Sequence, residues 1–226
     1  SAASAGQFHR AVGLLDAHSR RCLQKGHQAL SDHTRAVLAY VLILMGREQE
    51  AVETLPDIKD TSSMGYWITQ MVEIRRMFTS GHRAEAHARM QDATSRWVSA
   101  GMTIRQYPSP WILEMLEEFD RSALASIPGF AFHDELERIL NGPNVHLKGV
   151  GLRLKARRLR SAPKKQACLI QSETCLMESG DPLEVSKTRI ELARLYLSKG
   201  DQRQAMAQTL KVREGLSGLG ERFFPD

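Results

Sequence analysis

The sequence is short of the features that mark out most specialised classes of protein. Aromatic residues make up only 6% of its 226 positions, and there are 8 Pro, 16 Gly and 3 Cys. So few Pro and Gly argue against a fibrous repeat, and 42% hydrophobic with 25% charged residues rule out disorder as the dominant state. The cysteines are odd in number, with Cys22 far from Cys168 and Cys175, which argues against a disulfide framework, and their spacing fits no metal site. A reducing cytoplasm is the compartment this usage implies. Long apolar runs are missing too. The longest, Ala36 to Met45, spans ten residues between Arg35 and Arg47, against the roughly 20 needed to cross a bilayer. It reads as a buried helix, and no membrane is expected. No basic-then-apolar signal segment opens the chain, and Ser1-Ala-Ala-Ser4 reads as a trimmed terminus, so the chain is expected to be a piece of a longer protein. Nor is there a strong excess of one charge: 31 Lys and Arg against 26 Asp and Glu leave +5, a hint about partners and no more.

What is abundant is the set of good helix formers, Ala, Leu, Arg, Glu, Gln and Met, so the fold class expected is all-α. Within it one local signature recurs: a Gly in a polar turn followed five residues later by Ala, as Gly6/Ala11, Gly46/Ala51, Gly81/Ala86 and Gly200/Ala205. Glycine suits the left-handed residue that ends one helix, and the small alanine suits the close crossing where the next helix leans back. A fifth copy, Ala162/Ala167, keeps only the second residue. The spacings imply units of about 35 to 41 residues, each with room for two helices and a turn. The clearest unit starts at Asp181-Pro182-Leu183-Glu184, where Asp181 is placed to cap, Pro182 to open a helix and Glu184 to complete a capping-box-like start, the helix running to Lys199.

Leu192-Ala193-x-x-Tyr196-x-x-x-Gly200-Asp201-x-x-x-Ala205 resembles a tetratricopeptide repeat, and Leu38-Ala39-x-x-Leu42-x-x-x-Gly46-x-x-x-x-Ala51 matches nearly as well. A third copy, with Met77, Gly81, Ala86, Met90 and Ala93, has Glu73 where that family usually carries an apolar residue. The resemblance implies antiparallel helix pairs stacked as a right-handed solenoid, larger in radius than a compact globule of this length. Repeats are expected over 1–100 and 145–226, with a divergent repeat or linker over 101–144. In that irregular stretch Tyr107-Pro-Ser-Pro-Trp111 reads as a loop from which Pro110 opens a helix, and a further helix from Phe132 to Leu140 ends at Asn141-Gly-Pro143.

Catalysis finds no foothold in the motifs: there is no phosphate loop, no His-Glu-x-x-His, no Cys-x-x-Cys and no nucleophile elbow. His133-Asp134-Glu135 reads as an acidic first turn favoured by the helix dipole. His82 and His87, five apart, do not converge as ligands, so no metal and no cofactor is assigned. Cys168 and Cys175, two turns apart on one helix, read as core thiols. Tyr107, Trp111, Phe119, Phe130 and Phe132 are read mainly as core, with a small-molecule effector pocket as the alternative use.

The most distinctive cluster is basic: eight Lys and Arg between Lys148 and Lys165, with no acidic residue among them. Arg153, Arg157, Arg160 and Lys164, spaced four, three and four apart, are expected on one helical face. The resemblance further implies a concave groove lined by the first helix of each unit. Matched residue by residue, its inward position falls on Tyr40, Arg75, Arg157 and Arg194, near Lys187, Arg153 and Arg160. Such a groove suits a protein partner or an acidic peptide, including another domain of the same chain, because guanidinium groups bind carboxylates in bidentate fashion. The competing reading is a solvated basic face partly paired with Glu173, Glu178, Glu184 or Glu191. Direct nucleic-acid contact is not expected, since no aromatic residues interleave with the basic ones. The final repeat also looks like those of large bacterial transcription regulators, which implies a non-catalytic, signal-receiving arm.

Overall fold

The computed structural model describes residues 8–61, 63–99 and 110–216, without the side chains of Trp97 and Trp111. They form an all-α protein. The first half contains α1 (Phe8–Gln24), α2 (Gln28–Leu44), α3 (Glu48–Thr54), α4 (Met64–Thr79) and α5 (Arg83–Ser99). The second contains α6 (Pro110–Arg121), α7 (Phe132–Leu140), α8 (Val145–Arg158), α9 (Ala162–Ser179), α10 (Pro182–Ser198) and α11 (Gln202–Leu216). Among the described residues the only β feature is an isolated bridge between Ile127 and Phe130. Pro128-Gly129, with Gly129 at φ +77°, makes the tight turn between them.

The recurring glycines do the same physical work at each turn. Gly46, Gly81 and Gly200 have φ of +69°, +85° and +77°; Gly6 lies outside the described residues. In each case two backbone N–H groups close the preceding helix. Gly46 N donates to Ile43 O and Arg47 N to Leu42 O; Gly81 and His82 reach back to Phe78 and Met77, and Gly200 and Asp201 to Leu197 and Tyr196. That pair satisfies carbonyls that would otherwise be left open at a helix end. Gly26 and Gly180 end α1 and α9 in the same way. The partner alanines Ala11, Ala51, Ala86 and Ala205 are all buried. Ala167 is exposed, so the fifth copy fails: α9 turns Leu169, Ser172 and Leu176 inward instead.

Local signals place other elements where expected. The Asp181 carboxylate accepts from Glu184 N at 3.0 Å, and Pro182 is the first residue of α10. Helix α7 begins at Phe132 and ends at Leu140. Helix α8, in contrast, stops at Arg158, so Arg160 lies in a turn and Lys164 on the next helix, and the four basic residues do not share one face. Glu73 is explained by its partner, for Arg89 Nη2 on α5 meets it at 2.7 Å.

The main core crosses both boundaries expected near residues 100 and 145, gathering side chains from α4 through α10. At its middle lies α6, whose Ile112, Leu113, Met115, Leu116 and Phe119 are buried. Helices α8 and α9 approach so closely at Gly149 that a Cβ there would sit 2.5 Å from Leu176 Cγ. The two ends of the helical array also meet. Phe8 and Ala11 of α1 and Val41 and Met45 of α2 share a buried cluster with Leu183 of α10 and Val212 and Leu216 of α11. A simple open stack would hold its first and last pairs apart; here they pack on each other.

Candidate functional site

The strip of α6 that does not enter the apolar core is acidic. Glu114, Glu117 and Glu118 recur at helical spacing opposite Ile112, Leu116 and Phe119, with Asp120 at the margin of the apolar face. Across from it stand the basic residues of α8, and the two sets engage in order. Arg153 Nη2 donates to Glu114 Oε1 at 2.8 Å, Arg157 Nη1 to Glu117 Oε2 at 3.3 Å, and Arg158 Nη2 to Asp120 Oδ2. Both numberings rise together, so α6 and α8 run parallel and their charges form a ladder. Arg158 also stacks over the Phe132 ring, 4.9 Å from its centroid.

Arg153 is fully buried and anchors the network. Its Nη2 also meets Glu184 Oε2 at 2.5 Å, and Nη1 donates to the Glu184 carbonyl at 3.1 Å. Lys187 Nζ completes the group, 2.8 Å from Glu184 Oε1 and 3.2 Å from Glu114 Oε1. Burial alone would raise both carboxyls, but Arg153 and Lys187 outweigh it and hold Glu184 and Glu114 below the usual carboxylate range. Glu117 goes the other way. Its burial outweighs the pull of Arg157, Arg121 and Arg158, and its carboxyl is pushed up. Glu117 Oε1 makes no hydrogen bond, although Arg158 Nε is 3.8 Å away.

Beside this network α4, α6, α8 and α10 enclose a cavity of about 370 Å³. Four of the seven expected groove residues line it: Arg75, Arg157, Lys187 and Arg194. Of the four residues expected at the inward position, Arg75, Arg157 and Arg194 are among its lining. Tyr40 is not, and packs against the apolar core. Arg153 is sealed inside the protein and acts as a structural ion, and Arg160 is exposed in the α8–α9 turn, away from the cavity. Nor is the cavity simply basic, because Glu114, Glu117, Glu118 and Glu191 line it too. Of the four carboxylates expected to pair with the cluster, Glu173, Glu178, Glu184 and Glu191, Glu184 and Glu191 do so, the latter at 2.6 Å from Arg157 Nε, whereas Glu173 meets Arg189. The carboxylates of α6 are the partners that the basic cluster alone did not reveal. Their signal was a run of four carboxylates, Glu114, Glu117, Glu118 and Asp120, within one helix.

The aromatic set is divided. Phe119, Phe130 and Phe132 are buried, and the space left beside them is about 10 Å³, room for roughly one water. Tyr107 lies outside the described residues and nothing is described of the Trp111 side chain. Cys22 is buried, Cys168 and Cys175 are half-buried, and all three are free thiols. Among the described residues no helix is long and apolar enough to cross a membrane, and no His, Cys, Asp and Glu group is placed to hold a metal ion. Comparison with protein-family models, curated proteins and solved structures finds no match.

Proposed function

We propose that this chain is a non-catalytic helical-repeat interaction and regulatory domain of the tetratricopeptide-like kind. It receives a protein partner or acidic peptide at the cleft between α4, α8 and α10, as a sensor arm of a bacterial transcription regulator working in the cytoplasm. The observation that carries the reading is the convergence of Arg75, Arg157, Lys187 and Arg194, from three separate helices, on one cavity. The ladder between α6 and α8 supports it by example, since the chain's own acidic helix is what the neighbouring guanidinium groups select.

The test uses a fluorescent Glu-rich peptide of about twelve residues with the intact domain and the Arg157→Glu/Arg194→Glu double variant. Circular dichroism confirms that the variant remains helical, and the expected result is at least a tenfold loss of affinity, about 1.4 kcal/mol. Equal affinity in the two proteins removes the cleft as the docking surface. A second reading, sensing of a small-molecule effector, is favoured by the cavity volume, which falls in the range of ligand sites. Phe119, Phe130 and Phe132 contribute to that reading only as core support.

A further inference from the structure

We infer that the cavity between α4, α6 and α10 is a binding site for a small organic monocarboxylate with an apolar body. The inference rests on the reading that this cleft is the domain's receiving site, and it names the ligand.

The argument begins with which charges in the cavity are already committed. Its lining holds four basic and four acidic side chains, but the carboxylates are already drawn on by cations beside the cavity and by Arg157 within it. Glu114 is claimed by Arg153 at 2.8 Å, and Glu118 by Arg83 at 3.3 Å and Arg121 at 3.6 Å. Glu191 and Glu117 both serve Arg157. Two cations are left over. Arg194 has no ion-pair or hydrogen-bond partner among the described residues and is exposed at the cavity edge. Arg75 reaches only the already shared Glu114, at 3.9 Å, and its buried Nε has no acceptor. Buried donors of this kind are normally satisfied, and a guanidinium is built to satisfy itself with a planar carboxylate.

The remaining lining defines the rest of the ligand. Phe78, Leu183 and Ile190 supply an apolar wall, and the volume of about 370 Å³ suits a small molecule more than a folded segment. The nearby Glu114, Glu117 and Glu191 disfavour a group that concentrates more than one negative charge at a single point, as phosphate does, whereas a carboxylate brings only one. A single carboxylate on an alkyl or aryl body meets both conditions.

The test is thermal unfolding of the whole protein with four probes: hexanoate, hexylammonium, 1-hexanol and inorganic phosphate. Hexanoate is expected to raise Tm saturably, by roughly 5–10 °C at a hundredfold excess over Kd. The other three are expected to leave it unchanged. Arg194→Glu, on an exposed side chain, should keep the Tm of the free protein and abolish the hexanoate shift, and Arg75→Gln should weaken it at least tenfold. A shift by hexylammonium or hexanol equal to that of hexanoate, a shift by phosphate alone, or an unaltered shift in Arg194→Glu overturns the inference. So does the absence of any shift up to about 10 mM, where affinity is too weak for a sensor. If hexanoate fails while the Glu-rich peptide still binds in an Arg157- and Arg194-dependent way, the ligand is wrong and the docking reading stands. If both fail, the cleft itself is not the receiving site.

Discussion

Ion pairs in α1, α3 and α5 and ion pairs around α6 use the same residues to opposite effect. In the first group, partners sit three or four residues apart on or beside one helix, as in Arg20 with Asp16, Arg47 with Glu50 and Arg96 with Asp92, largely in water. In the second, Arg153, Arg157, Arg158 and Lys187 bind carboxylates on other helices, and several of these groups are buried. The first group decorates helices that apolar contacts already hold. The second decides how α6, α8 and α10 are placed against one another, because a buried charge tolerates only the arrangement that supplies its partner. Equal numbers of salt bridges therefore say little about equal structural roles.

The sharpest way to break this comparison is Arg153→Ala. It leaves Glu114 and Glu184 facing each other with only Lys187 between them, and is expected to cost about 3–5 kcal/mol in urea unfolding. Arg153→Met combined with Glu184→Met should recover part of that loss, since the charges then leave together. Acid unfolding comes next. Glu184 and Glu114 hold their protons less tightly in the folded state than the ordinary value of 4.5. Their contribution is complete above that value and disappears as pH falls through the folded values. Glu117, pushed up, has the reverse sign: between 4.5 and its raised value the folded protein binds the extra proton, and acidification there is stabilising. Glu184→Gln should flatten the acid limb of a stability-against-pH curve, and Glu117→Gln should steepen it. At the small end, Asp16→Asn is expected to change stability by less than about 0.5 kcal/mol. A cost for Asp16→Asn matching that of Arg153→Ala would erase the distinction.

A third prediction concerns backbone and not charge. The regular helix ends carry Gly in the left-handed residue, whereas α6 ends with the same two hydrogen bonds around Ala123 at φ +55°. An alanine costs roughly 1–2 kcal/mol in that conformation. Ala123→Gly, which offsets part of this with its own chain entropy, should stabilise by up to about 1 kcal/mol in the same urea assay.

How much of this was legible follows from range. Capping at Asp181, the limits of α7 and the glycine turns at 46, 81 and 200 are written in neighbouring residues. Convergence of Arg75, Arg157 and Arg194 was legible only through the repeat resemblance, which supplied a direction for each side chain. Among the partners of the basic residues, Glu184 and Glu191 were named from the sequence, but the carboxylates of α6 were not. Glu114 and Arg153 lie 39 residues apart and Glu114 and Lys187 lie 73 apart, and a helical period specifies a face without specifying what faces it. For the same reason α6 read as a break in the pattern, although Met115 and Phe119 place it at the centre of the core.

The cluster that joins Phe8 to Leu216 also sets an order of events in folding. The hairpins α1–α2, α4–α5, α8–α9, α9–α10 and α10–α11 each close over a turn of two or three residues and form on the timescale of local contacts. The cluster draws on α1 and α2 at one end and α10 and α11 at the other, segments up to about two hundred residues apart, and its loop entropy falls only once the intervening hairpins are stacked. On that ground it is expected to close after the hairpins it joins and to be lost before them on unfolding.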